Sequence, residues 1–175
     1  FDKRVQFGQR EAPVLTSRQS NFVAWAIRRE LWWFDQQHPP TADCVRAWRL
    51  LRACLGDQQP TGDAECSMTA LAFCMIYVDD CGAATINDLL YHPDGSPFCG
   101  RWCDTDECYV PCDGAVEGAM HVRRPDMHYM LALRAIARMG HASARGKGVP
   151  PCDGMDLLGV HIDVVADERR LSQLK

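Results

Sequence analysis

The sequence predicts a mixed fold, α+β in class, with helices and strands in one domain. Two observations carry this. Three segments repeat apolar residues at helical spacing, and two others are apolar runs that read as strands. The chain has 175 residues, 47% of them hydrophobic, which is enough to bury one core.

Taken in order, Ser17 to Gln36 reads as the first helix. Phe22, Trp25, Ala26 and Arg29 recur at helical spacing there, and Ser20 or Asn21 can cap it. The break "HPPTAD" offers Thr41 or Asp43 as the cap of a second helix, Cys44 to Leu55. That helix would bury Val45, Trp48, Leu51 and Leu55 and would group Arg46, Arg49 and Arg52 on one face. "GDQQPTGD" is a loop. Ser67 to Val78 is apolar and ends in a strand pattern. From Gly82 to about Arg124 the chain is polar and rich in Gly, Pro and Cys. A third helix, Pro125 to Met139, carries Met127, Met130, Leu131, Leu133 and Ile136. The loop "GHASARGKGVPPCDG" leads to a last strand, "MDLLGVHIDVV". There is no internal repeat.

Bulk properties narrow the function classes. The formal net charge of -4 does not mark a nucleic-acid binder. No apolar run can span a bilayer, and "FDKRVQFGQREAP" has no signal-peptide core. The expectation is an intracellular protein, in cytoplasm or nucleus, not secreted. Its ten cysteines are then mostly free thiols. Six of them, Cys44, Cys54, Cys66, Cys74, Cys81 and Cys152, are scattered and read as small hydrophobes. The chain lacks an initiator Met and is expected to be a fragment.

Two stretches offer chemistry. "AFCMIYVDDCG" ends an apolar run in Asp79 and Asp80. Two close carboxylates repel, and a divalent cation removes that penalty. Neighbouring strand residues face opposite ways, so both can meet one metal only where the chain turns, as Gly82 permits. The plainer reading is a strand running into a polar turn. "CGRWCDTDECYVPCDG" brings Cys99, Cys103, Cys108 and Cys112 close in sequence. Four thiolates can enclose Zn²⁺, although the spacing is not that of a zinc knuckle; disulfides, or cysteines packed on a small hairpin, are the alternatives. His92, His121, His128, His141 and His161 form no ligand pattern and read as surface or packing residues. Arg28, Arg46, Arg49 and Arg52 could meet phosphates, but singly read as a solvated face.

"QFGQREAPVLTSRQSN" resembles motif B of the reverse transcriptases of retroelements. Phe7, Gly8, Ala12, Pro13, Arg18 and Asn21 match in register, whereas Gln6, Thr16 and Ser17 depart from the usual Pro, Phe and Gln. "YVDD" then resembles motif C, and "ALRAIARMGHASARGKG" the helix and loop of motif D, with Lys147 near its lysine. "MDLLGVHIDVVADERRLSQLK" resembles the hairpin that closes the palm near the primer terminus, through Leu158, Gly159, Ile162, Asp163, Leu171 and Lys175. The order of these motifs resembles the palm of a DIRS-like (tyrosine-recombinase) or gypsy-like retrotransposon polymerase.

The resemblance implies a palm-like antiparallel sheet backed by helices. Residues 1–82 and 125–175 would be its parts, and 83–124 a Cys-rich insertion. It implies template-directed transfer of deoxynucleotides to a primer 3′-hydroxyl, with RNA or DNA template-primer and deoxynucleoside triphosphates as partners and no membrane. Asp79 would be the direct Mg²⁺ ligand, with Asp80 beside it. Tyr77, Val78, Leu158 and Gly159 would lie near primer and nucleotide. Phe7, Gly8 and Pro13 would form the floor beneath the nucleotide, with Arg18 also in the binding region. Lys147 would assist the leaving pyrophosphate. Motif A and the fingers lie upstream of motif B in the family, so these 175 residues by themselves are expected not to polymerise. The competing expectation is a non-catalytic remnant that binds nucleic acid or a protein partner.

Overall fold

A computed structural model describes residues 12–46, 72–77, 80–112, 116–141, 146, 148–157, 160–163 and 168–171. The first helix, α1, spans Ala12–Gln37. It starts five residues before the expected Ser17. Pro13 sits in its first turn, where a missing N–H and a fixed φ are compatible with helix.

The buried stripe of α1 also differs from expectation. Val23, Ala24, Ile27, Leu31 and Phe34 are inside, while Phe22 is 58% exposed. Both faces of this helix carry apolar residues, so spacing does not decide which one packs. The compact Val, Ile and Leu side chains went inward. Residues 42–46 are helical, and the Thr41 hydroxyl accepts a bond from the Cys44 N–H at 3.3 Å, so Thr41 is the cap. The rest of the expected second helix lies outside the described residues.

β1 (Ala72–Tyr77) and β2 (Asp80–Thr85) form an antiparallel hairpin in which Tyr77 stands opposite Asp80. β3 (Cys99–Cys103), β4 (Cys108–Pro111) and β5 (Met120–His121) form a second antiparallel sheet, in the order β4-β3-β5. Pro111 lies on its edge strand, opposite Gly100. The neighbouring Cys99–Cys112 pair is joined by the Cys112 N–H to the Cys99 carbonyl at 3.1 Å. Pairs alternate along such a ladder, so Pro111 falls where no inter-strand N–H is called for.

The expected third helix is α2, Arg124–Arg138. Asp126 accepts the Arg123 N–H at 3.1 Å at its start, and Gly140, at φ +81°, follows its end. The expected last strand is two strands, β6 (Gly154–Leu157) and β7 (Val160–Asp163), continued by β8 (Glu168–Leu171) as a meander. Leu158 and Gly159, between β6 and β7, lie outside the described residues.

Two apolar clusters join the helices, β1 and the Cys-rich segment. Val23, Ile27 and Leu31 of α1 meet Ala135 of α2, with Cys74 of β1 against them. Phe34, Leu90, Phe98, Cys108, Val122, Met127 and Met130 form the other. The Cys-rich segment therefore shares its core with both helices. No described helix is long and apolar enough to cross a membrane.

Gly100 shows how tight that core is. A Cβ there would stand 2.6 Å from Val122 Cγ2 and 3.1 Å from the Val110 carbonyl oxygen. Valine cannot swing aside easily. Gly100→Ala is expected to destabilise by roughly 1–3 kcal/mol, read as a lower urea midpoint at unchanged m-value.

His38 packs its ring on Phe34, at 4.6 Å between centroids, and on Phe98, at 5.0 Å. Burial lowers its pKa from the ordinary 6.5, and the nearby His92 and Arg124 add to this against a hydrogen bond to the Tyr91 backbone and the charge of Asp35. The unfolded chain thus takes up this proton more readily than the folded one. Stability is expected to fall as pH drops through about 6.5 toward the lower folded value. Urea midpoints at pH 7.5 and 5.5 should differ less in His38→Phe than in the parent.

Candidate functional site

Of the two carboxylates singled out in the sequence, only Asp80 belongs to the described residues, as the first residue of β2. Val78 and Asp79 are the two residues between its paired ends, Tyr77 and Asp80, and both lie outside the described residues. Phe7, Gly8, Lys147, Leu158 and Gly159 also lie outside them. Pro13 is in the first turn of α1 instead of a loop, and Arg18 is an exposed residue on that helix. α1 packs along β1 and against α2, so both helices back the hairpin.

The base of the hairpin is fastened by a buried polar network. Thr85, the last residue of β2, meets His128 Nδ1 through its Oγ1 at 2.8 Å. His128 Nε2 lies 2.9 Å from Asp35 Oδ1 on α1. A carboxylate only accepts, so Nε2 carries the proton, and in the neutral ring Nδ1 accepts from the threonine hydroxyl. Arg124 Nη1 donates to the same Asp35 oxygen at 2.5 Å, and its Nε and Nη2 grip both oxygens of Asp88 at 2.7 and 3.2 Å. The Arg124 N–H also reaches the Asp88 carbonyl at 2.8 Å. Arg124 is 1% exposed and Asp35 and His128 are 3% exposed. A planar guanidinium meets a carboxylate in this two-point way with good geometry.

Carboxylate, imidazole and hydroxyl stand here in the order of an activated nucleophile. Yet Asp35 is shared with Arg124, and the imidazole is sealed inside. The network fixes the base of β2 against α1 and α2. Sequence reasoning read His128 as surface or packing and passed over Asp35, Asp88 and Arg124. Asp35 lies on the stripe of α1 that the structure buries, four residues after Leu31, a stripe that spacing alone did not single out.

The four cysteines considered for zinc do not converge. Cys103 pairs with Cys108 at one end of the β3–β4 hairpin, and Cys99 lies beside Cys112 at the other. The two pairs stand four residue steps apart along the strands, about 13 Å at the usual rise. A tetrahedral zinc holds every sulfur at about 2.3 Å, so these four cannot surround one ion in this hairpin. The thiol of Cys99 turns to the Pro97 carbonyl at 3.6 Å, and that of Cys103 to Asp106 at 3.4 Å. Among the described residues, no group of three or more His, Cys, Asp or Glu is placed to hold a metal ion. The hairpin alternative is the observed arrangement.

Comparison with protein-family models, with curated proteins and with solved structures returns no match.

Proposed function

We propose that this chain is part of a reverse transcriptase palm and contributes to metal-dependent transfer of deoxynucleotides to a primer 3′-hydroxyl. One observation carries the reading. Tyr77 and Asp80 of the "YVDD" stretch are paired at the end of an antiparallel hairpin, and α1, which begins within the motif B match, packs along its first strand. The succession helix, hairpin, helix, hairpin (α1, β1–β2, α2, β6–β7) is also the succession that the resemblance implies.

In this reading Asp79 and Asp80 would hold Mg²⁺. Their hard oxygens suit it, and two adjacent carboxylates at a strand connection have the charge to bind it. Bound there, the metal would neutralise the phosphates and lower the pKa of the primer hydroxyl. Tyr77 and Val78 would flank the primer end and the incoming nucleotide. Phe7, Gly8 and Pro13 would support the nucleotide, Arg18 would lie beside them, Leu158 and Gly159 would steady the primer, and Lys147 would offset charge on the departing pyrophosphate. The buried network beneath β2 would keep the hairpin from shifting, because misplacement of about 1 Å costs such a site on the order of a hundredfold in rate. Template-primer and nucleotides place this work in the cytoplasm or nucleus.

The test is primer extension by a protein in which this chain follows a segment carrying motif A. Mg²⁺-dependent extension is expected. Template-primer binding with no extension would favour the non-catalytic remnant, and neither binding nor extension would remove the reading.

A further inference from the structure

Cys74 and Cys81 bring their sulfurs to 4.0 Å of each other across the β1–β2 hairpin. Cys74 pairs with Ala83, and Cys81 with Ile76, so the two cysteines are diagonal neighbours on one face of the ladder. Cys81 is exposed, whereas Cys74 is half-buried against the α1–α2 cluster. Other described thiols are engaged elsewhere: Cys99 with the Pro97 carbonyl, Cys103 with Asp106, and Cys152 with the Gly154 carbonyl at 2.9 Å.

We propose that Cys74 and Cys81 form a dithiol modification site, oxidised by hydroperoxides to a disulfide through Cys81. The roles follow from exposure. Cys81 faces solvent, where a hydroperoxide can reach it, whereas Cys74 is half-buried against the α1–α2 cluster.

The Cys81 thiolate attacks one peroxide oxygen. The O–O bond breaks, Cys81 becomes a sulfenic acid, and the alkoxide leaves and takes a proton as an alcohol. Cys74 sulfur then attacks Cys81 sulfur. The S–O bond breaks, the S–S bond forms, and the hydroxyl leaves as water with the Cys74 proton. Two thiols lose two electrons, and one hydroperoxide gains them. The sulfurs must close from 4.0 Å to about 2.05 Å, and because a diagonal pair stands wider than a bridged one the closure requires a shear of the two-strand ladder. The chemistry is independent of nucleotidyl transfer.

The reduced chain, treated with tert-butyl hydroperoxide and digested without reductant, is the test, read by mass spectrometry. A Cys74–Cys81 linked peptide, lighter by two hydrogens, is expected before any other link. With a cyclic diketone that traps sulfenic acids, Cys74→Ser should give a label on Cys81, and Cys81→Ser should leave Cys74 unlabelled. A first link elsewhere, a label on Cys74 in the Cys81→Ser protein, or an unmodified Cys81 would overturn the proposal. The order of links in the parent chain decides the matter even if a variant does not fold.

Discussion

Arg124→Ala is expected to destabilise the fold by about 3–5 kcal/mol, because it leaves two carboxylates buried without their cation. Asp35 and Asp88 are 3% and 9% exposed, and Arg124 supplies hydrogen bonds to both. Domains of this size are stable by roughly 5–15 kcal/mol, so the loss would reach about a fifth of the total or more. Urea unfolding followed by tryptophan fluorescence would read it as a lower midpoint. Arg124→Met should lose a similar amount, since filling the volume does not neutralise the carboxylates. The triple variant Arg124→Met, Asp35→Leu, Asp88→Leu should recover much of the loss, as apolar replacements of buried ion networks do. A loss under about 1 kcal/mol for Arg124→Ala would mean that water reaches the carboxylates and that the network is not a fastening.

Asp79→Asn is expected to abolish primer extension by a protein that combines this chain with a motif A segment. Asparagine keeps the size of the side chain but has no charge and offers a metal one weak oxygen. Two cations held close together need carboxylates to offset their repulsion. Asp80→Asn should reduce extension less, because that residue sits beside the direct ligand in the proposed site. Unfolding midpoints measured alongside should hardly move in either variant. Template-primer affinity, dominated by phosphate contacts, should also persist in Asp79→Asn. Strong extension by the Asp79→Asn protein would show that the catalytic carboxylates lie elsewhere.

Both expected effects concern one hairpin, at its tip and at its base. The tip was legible in the sequence. An apolar run ending in "YVDDCG" announces a strand and then a polar change of direction, and β1 and β2 pair on either side of it. The base was not legible. Asp35 lies 89 residues from Arg124 and 93 from His128, and Asp88 lies 36 from Arg124. No spacing rule joins groups so far apart.

The Cys-rich segment shows the same division within sixteen residues. Its cysteines are close enough in sequence to suggest one centre, but a strand ladder separates them into two pairs, Cys103 with Cys108 and Cys99 with Cys112. The diagonal contact of Cys74 and Cys81 was equally hidden, because both read as scattered small hydrophobes until a register was known.

The sequence by itself determined where α1, α2 and the hairpin strands form, to within a few residues. Periodicity, Pro13, Thr41 and Gly140 act over one or two turns of chain, and such short-range preferences are written locally. Only the tertiary structure decided which face of α1 is buried, which charges meet and which thiols touch. Those outcomes depend on close packing between distant elements: α1 could bury either apolar face, and Arg124 could be sealed inside only where two carboxylates and a histidine were already waiting.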